Sequence, residues 1–225
     1  MKNIFNKIYL TWRKGRGTRR LIVGEISIRN NVIDGFRYCE NGEFDKARRE
    51  GFVGYPGLTI QPKMEYDDVL KMFSSRLINI DRNDSKEFLD FWEIAQEYKS
   101  DQLYLLAMSQ GLSGTDSFEF QAEFDIDNEQ PFLRFITDIA GLQFHCKHDI
   151  FDRIKVGDKL DFTFEKDNDQ DKFAVQVLFD NQVIGYIKRG HNKVFHGSRS
   201  KEIQLEVKKK INTNDYKQLF VKVSL

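Results

Sequence analysis

The final third of the chain alternates between apolar and polar residues, and this period of two constrains the fold more than any other feature. The alternation recurs in four segments, at residues 160–164, 173–179, 203–207 and 219–225. Successive side chains of a strand point to opposite faces, so each segment predicts a strand with one buried and one solvated face. Asp180-Asn181 separates two such runs and predicts a tight hairpin. Short strands at this spacing predict a small β-barrel.

The first half of the chain predicts a different architecture. Three strand-like segments open it, at residues 8–12, 21–28 and 32–38. Apolar residues then recur at spacings of three and four over residues 67–108, which indicates helices. The acidic stretch 124–131 ends in proline and suits a linker. The sequence therefore predicts an N-terminal α+β domain at 1–125 and a C-terminal β-barrel at 130–225.

The charge balance excludes a globally basic nucleic-acid binder. Lys and Arg number 35, and so do Asp and Glu, so the formal net charge is zero. The charge is nevertheless uneven, because residues 186–225 contain 10 basic and 3 acidic side chains. This excess predicts either a local positive patch or a set of solvated edges and turns.

Other features of the sequence narrow the class and the location. Two cysteines, Cys39 and Cys146, exclude a disulfide scaffold and a four-thiolate zinc module. Apolar runs stay well short of the roughly 20 residues that span a bilayer. The first residues lack the apolar core and cleavage site of a signal peptide. We therefore expect a cytoplasmic protein with no membrane partner.

Residue types that suit binding to the end of a single-stranded nucleic acid occur in three segments of the C-terminal half. These segments are 141–145, 165–175 and 184–189. Asn168 and Asp171 could simply fix a turn by bonding their own backbone. They could instead face a barrel mouth beside Phe144, Tyr186, Lys188 and Arg189. Rings stack on bases, cations contact phosphates and an acid accepts a terminal hydroxyl. The residues alone leave both interpretations open.

These segments, in this order and spacing, resemble the HIRAN domain over about residues 134–207. The resemblance implies a small OB-like β-barrel, which occurs in bacteria alone or fused to other modules. In characterised eukaryotic members the domain captures the 3′-hydroxyl end of single-stranded DNA. By the same resemblance, Asp171 accepts the terminal hydroxyl, Phe144 stacks on the end nucleotide and Asn168 is the loop asparagine before the acid.

Tyr186 and Arg189 match positions of the family near the base and the phosphates. The complete predicted DNA-binding set is Gln143, Phe144, His145, Asn168, Asp171, Tyr186, Lys188 and Arg189. The expected DNA ligand is a single-stranded end or a damaged duplex. No cofactor is expected.

The chain departs from the family at two places. Gln143-Phe144-His145 replaces an Arg-Tyr-Tyr-like stretch, which removes one cation. Asp167 and Asp169 add negative charge beside the proposed DNA path. Because like charges oppose phosphate binding, these changes predict weaker DNA binding or a different ligand.

The N-terminal half loosely resembles the accessory N-terminal region of HipA-type proteins. The resemblance is carried by short motifs that begin at Trp12, Val23, Gly35, Gly51 and Gly114. A Gly-rich nucleotide loop followed by lysine and a catalytic Asp…Asn loop are both missing, so the kinase core has no counterpart. The resemblance implies a domain that contacts a protein partner without being an enzyme.

Metal chemistry has two possible sources in the sequence. His145, Cys146 and His148 are close in sequence, but adjacent strand residues point to opposite faces, so we expect no zinc site there. Asp167, Asp169 and Asp171 could bind Mg²⁺ as in a nuclease, although loop acids are more often simply solvated.

The leading hypothesis is a non-enzymatic, bacterial or phage-type DNA-binding adaptor without a catalytic or metal site. Its barrel would recognise a strand end or damaged DNA, and its N-terminal domain would contact a partner. One alternative is a protein–protein regulator, related to toxin–antitoxin or defence systems, that does not bind DNA. The other is a metal-dependent nuclease. Oligomeric state, partner and pathway are not encoded in any motif.

Overall fold

The protein is represented by a computed structural model that describes residues 4–30, 32–61, 68–113, 117–124, 133–213 and 216–225. The chain divides into two compact units, Met1–Glu123 and Phe124–Leu225. Two predicted features lie outside the described residues. They are the linker at 125–131 and the start of the motif at Gly114.

The N-terminal unit is built on a four-stranded sheet with the order β3-β2-β1-β4. The strands are β1 Phe5–Trp12, β2 Leu21–Arg29, β3 Val32–Tyr38 and β4 Phe118–Phe124. Antiparallel pairing joins β1 to β2 and β2 to β3, which confirms the predicted strands at the start of the chain.

Four α-helices follow the third strand. They are α1 Gly42–Glu50, α2 Val69–Met72, α3 Ser85–Phe91 and α4 Gln102–Ser109. Two 3-10 turns, Ser74–Arg76 and Gln96–Tyr98, lie between them. The helices are short, and α4 ends where Gln110 and Gly111 take positive φ angles of 60° and 51°. Sheet and helices together confirm the predicted α+β class.

Aromatic rings fill the core of this unit. Phe36, Phe73 and Phe120 are fully buried. The ring of Phe73 meets that of Phe36 at 5.4 Å and that of Phe120 at 4.7 Å, both edge to face. Edge-to-face pairs add about 0.5–1.5 kcal/mol beyond simple burial. Much of the high phenylalanine content is therefore structural.

The C-terminal unit is a six-stranded antiparallel sheet with the order β5-β10-β9-β6-β7-β8. Its strands are β5 Arg134–Asp138, β6 Lys159–Phe164, β7 Val175–Phe179, β8 Gln182–Tyr186, β9 Gln204–Thr213 and β10 Tyr216–Ser224. A bridge between Ala140 and Tyr186 joins the chain just after β5 to the last strand of the order. The sheet is thus curled into a half-barrel, which confirms the predicted barrel class.

Short helices occupy the connections of this unit. They are α5 Leu142–His145, α6 His148–Arg153 and α7 Arg189–Asn192, with 3-10 turns at Lys193–His196 and Ser200–Glu202. The predicted hairpin joins β7 to β8. Asp180 and Asn181 there have φ angles of 49° and 60°, the positive pair that a two-residue hairpin with a right-handed twist requires.

The period-two pattern describes the interior of the half-barrel, with exceptions in β6 and just before β7, where Phe173 is half-buried and its neighbour Ala174 is buried. Val177, Leu205, Val207 and Val221 are fully buried on alternating positions. Phe164, however, belongs to the predicted buried face of β6 and is 41% exposed. It is the last residue of its strand, where the sheet no longer covers it.

Candidate nucleic-acid interface

The loop between β6 and β7 is fixed by the side chain of Asn168. Its Oδ1 accepts hydrogen bonds from the backbone N–H groups of Gln170 and Asp171, both at 2.9 Å. Its Nδ2 donates to the carboxylate of Glu165 at 2.6 Å. Asparagine commonly stabilises turns in this way. Asn168 therefore has the structural role that the sequence left open, and it sets the position of Asp171.

The carboxylate of Asp171 is held from three sides. Oδ1 accepts from the backbone N–H of Phe173 at 3.0 Å, and Oδ2 accepts from Nδ2 of Asn192 at 2.6 Å. Nε of Arg189 lies 3.7 Å from Oδ2. A carboxylate offers about four lone-pair positions, and the side chain is still 18% exposed. The group is therefore oriented and can accept a further donor from solvent or a ligand.

Asn192 is a site residue that the sequence analysis missed. It lies in α7, is 1% exposed, and its Nδ2 also donates to the backbone carbonyl of Phe173 at 2.9 Å. One amide group thus ties the Asp171 loop to the helix after β8. It lies 21 residues from Asp171, so no local motif could have revealed it.

Lys188 and Arg189 are neighbours in sequence but have different environments. Lys188 is 3% exposed, and its ammonium forms an ion pair with Asp138. This environment does not favour the predicted contact of Lys188 with DNA, because the ammonium is buried and already paired. Arg189 remains partly exposed, donates to the carbonyl of Gln170 and approaches Asp171.

The predicted stacking residues lie on α5, which is a helical turn and not a strand. Phe144 is 76% exposed. The ring of His145, also exposed, meets the ring of Tyr186 edge to face at 5.1 Å. The side-chain amide of Gln143 donates to the carbonyl of Lys217 at 2.8 Å, so this residue anchors the turn. Partial burial raises the pKa of Tyr186, against the effect of its hydrogen bond from Gln176.

The bridge to Tyr186 explains why α5 lies beside β8. Ala140 and Tyr186 exchange two backbone hydrogen bonds of 2.8 and 2.9 Å. The close approach requires glycine at position 185, since a Cβ there would lie 2.5 Å from the carbonyl oxygen of Ala140. Close packing thus explains the glycine in the Gly-Tyr pair of the motif. The bridge that this packing allows holds the α5 turn next to the Tyr186 ring.

The pairing register of β7 and β8 places Asp171 and Arg189 at the same end of the half-barrel as Tyr186. Tyr186 lies opposite Gln176, and the N–H of Ile187 donates to the carbonyl of Val175 at 3.0 Å. The start of β7, which follows the Asp171 loop, is therefore next to the end of β8, which precedes Arg189. Asp171, Arg189 and Tyr186 share one end of the sheet.

Several basic side chains of residues 186–225 form contacts within the C-terminal unit. The ammonium of Lys210 donates to the carbonyls of Phe151, Asp152 and Ile154, at the end of α6. Lys217 is 7% exposed and lies 5.2 Å from the centre of the Phe151 ring. The net charge of the segment therefore overstates the positive charge that a phosphate would meet.

The described residues give no metal-binding arrangement. Among them, no group of three or more His, Cys, Asp and Glu side chains is placed to hold an ion. Asp167 and Asp169 are exposed, whereas Asp171 is turned into its hydrogen bonds. Burial also raises the pKa of both thiols, that of Cys39 to about 12. Within the same residues, no helix is both long and apolar enough to cross a membrane.

The comparisons with known proteins found similarity in the C-terminal unit alone. Residues 132–225 match the family model of the HIRAN domain. A solved structure, "Crystal structure of HIRAN domain of human HLTF", is similar at 15% identity, covering 41% of this chain and 73% of that chain with a TM-score of 0.32. No curated protein matches the chain. The N-terminal region has no family assignment, so its resemblance to HipA-type proteins stays a prediction.

Proposed function

We propose that the HIRAN domain at residues 132–225 binds the 3′-hydroxyl end of single-stranded DNA. HIRAN domains are known as modules that bind DNA 3′ ends. On this proposal the whole chain is a non-enzymatic adaptor, and its N-terminal unit contacts a protein partner. The observation that carries the proposal is the Asp171 carboxylate, which Phe173 and Asn192 orient while part of it stays open to solvent.

The chemistry of a strand end fits this group. A terminal hydroxyl donates a hydrogen bond to a carboxylate, whereas a terminal phosphate has no hydroxyl at that position and repels it. Arg189, which lies beside Asp171, supplies a cation for a phosphate of the strand. Phe144 and the His145–Tyr186 pair offer ring faces and edges at the same end of the sheet.

The test compares two single strands that differ only at the 3′ end. Fluorescence anisotropy with a labelled decanucleotide should show tighter binding of the 3′-hydroxyl form than of the 3′-phosphate form. A hydrogen bond to a charged group contributes about 1.5–3 kcal/mol, so we expect roughly a 10- to 100-fold difference. Changing the 5′ end should have no effect. Equal affinity for the two 3′ ends would refute the proposal.

Asp171→Asn should remove most of the 3′ preference, since it removes the charge of the accepting group. Asp169→Asn is the matched control, because it removes the same charge from an exposed position two residues away. We expect that control to keep the preference and, by reducing repulsion of phosphates, to bind DNA at least as tightly. If both variants behaved alike, the effect would come from net charge and not from a hydroxyl acceptor.

A second candidate function is a protein–protein regulator without DNA binding. The contacts of Lys188, Lys210 and Lys217 inside the unit support it, because they leave fewer of the segment's basic side chains for a phosphate backbone. A partner recovered with the 225-residue chain should then bind equally well to the Asp171→Asn and Arg189→Ala variants. Loss of that partner in both variants would argue against this candidate.

A further inference from the structure

A second group of rings lies next to the Asp171 loop, and we call Phe164, Phe173 and His196 the aromatic patch. The ring of His196 is 4.6 Å from that of Phe164 and 5.3 Å from that of Phe173, centre to centre. His196 is exposed and Phe164 is 41% exposed. These side chains come from three separate segments of the chain, so the patch exists only in the folded unit.

Two lysines flank the patch. The ammonium groups of Lys172 and Lys193 lie 5.0 and 5.8 Å from the centre of the Phe173 ring. Both side chains are exposed. A cation near a ring face is attracted by the negative charge of the π system. The patch therefore combines ring surface with positive charge, the two features that bind single strands without sequence preference.

The backbone of Phe173 connects the patch to Asp171. Its N–H donates to the Asp171 carboxylate, and its carbonyl accepts from Asn192 at 2.9 Å and lies 3.2 Å from Nε2 of His196. The patch and the proposed hydroxyl acceptor are thus held by shared hydrogen bonds. Their spacing is set before any ligand binds.

Two further aromatic rings, those of Phe162 and Phe195, support the patch through packing contacts. Phe164 meets Phe162 at 6.0 Å, and Phe162 meets Phe195 at 4.9 Å, both edge to face. Phe195 is fully buried. Rings held in this way lose little conformational entropy when a base stacks on them. The favourable free energy of stacking is therefore not reduced by a cost of ordering the side chains.

We infer that the aromatic patch binds the nucleotides that precede the strand end, with Lys172 and Lys193 contacting their phosphates. The inference rests on the proposed function and extends it, because it assigns the substrate class. The ligand is a 3′ tail of several unpaired nucleotides and not a terminal nucleotide alone. A strand whose last nucleotide reaches Asp171 would continue across His196 and Phe164.

The experiment compares a dinucleotide, which reaches only the end site, with a decanucleotide, both carrying a 3′-hydroxyl. Unlabelled dT2 and dT10 are titrated into the 225-residue chain, and binding is followed by amide chemical shifts in NMR spectra. The test variant is Phe164→Ala/His196→Ala. Val156→Ala is the matched control, since Val156 is a 66% exposed apolar residue of the same unit.

Stacking on one ring changes affinity by roughly 5- to 150-fold. We therefore expect the double variant to lose about tenfold or more in affinity for dT10 while its affinity for dT2 changes less than twofold. The control should bind both like the unaltered protein. Lys172→Gln/Lys193→Gln should also weaken dT10 selectively, with a smaller slope of affinity against salt, whereas Lys155→Gln, another exposed lysine, should not.

Two results would overturn the inference. Unchanged dT10 binding would show that the strand does not cross the patch. Equal losses for dT2 and dT10 would show that the substitutions act on the end site or on folding, which thermal unfolding of the variant would separate. Failure of the proposed function has a different signature, because the unaltered protein would then bind 3′-hydroxyl and 3′-phosphate strands equally.

Discussion

The two units of this protein use the same residue type, phenylalanine, in opposite ways. Phe36, Phe73 and Phe120 of the N-terminal unit are fully buried and pack edge to face. Phe144 and Phe164 of the C-terminal unit are 76% and 41% exposed. The aromatic content of a chain therefore does not by itself indicate function, because the same residue type fills the core of one unit and lies at the surface of the other.

Two ion pairs show the same contrast between buried and exposed side chains within the C-terminal unit. Lys188 and Asp138 are both buried and paired with each other. Arg189, the residue after Lys188, lies 3.7 Å from Asp171, and both of these side chains are partly exposed. A buried pair is expensive to break because it leaves one charge without a partner, whereas an exposed pair can open to admit a ligand.

The largest expected effect comes from a buried ring. Phe73→Ala should lower the free energy of unfolding by about 3–5 kcal/mol, since it removes a large apolar side chain and leaves a cavity. Chemical denaturation of the 225-residue chain measures this change. Phe144→Ala is the matched control and should change the free energy by less than about 0.5 kcal/mol. Similar losses in both variants would contradict the contrast between the two sets of rings.

A smaller effect should appear as a pH dependence of stability. Burial, and secondarily the charge of Lys188, lower the pKa of His191 from 6.5 to about 3. Between these values the unfolded chain binds a proton that the folded chain does not, so the free energy of unfolding falls as the pH falls. From pH 6.5 to 4.5 the loss should be about 2–3 kcal/mol.

His191→Gln provides the comparison for that prediction. The variant should lose some stability at pH 7, because Nδ1 of His191 lies 2.9 Å from the hydroxyl of Thr137. Its stability should nevertheless fall less steeply than that of the unaltered protein between pH 6.5 and 4.5. If the free energy of unfolding fell equally with pH in both proteins, His191 would not be the group that titrates. The carboxylates contribute to both proteins and cancel in the difference.

The smallest expected effect is on binding alone. Phe144→Ala should weaken binding of a 3′-hydroxyl strand by about 1–3 kcal/mol, the value of one base stacked on a ring. Anisotropy at constant salt measures the change. Val156→Ala, which removes another exposed apolar side chain of the same unit, should bind normally. Normal binding by both variants would remove Phe144 from the site.

The sequence predicted the architecture well because strand and hairpin signals are local. The period of two located β6, β7, β9 and β10, and Asp180-Asn181 located the turn between β7 and β8. The site was predicted less well. Lys188 and Arg189 look equivalent in the sequence, but the chain leaves β8 and begins α7 at Arg189, so one side chain turns inward and the other stays at the surface.

Two contacts between distant segments were not predicted. Asn192 binds Asp171 from 21 positions away, and His196 meets Phe164 from 32 positions away. No periodicity or short motif records such a contact, because it depends on how the sheet curls.

By itself the amino-acid sequence determined the two classes of architecture and the order of the motif residues along the half-barrel, since both follow from neighbours a few positions apart. Only the tertiary structure decided which charged side chains are paired inside the unit, which rings stay exposed and which groups hold Asp171. Burial and hydrogen bonding are properties of the folded environment, and identical side chains such as Phe73 and Phe144 acquire different roles from it.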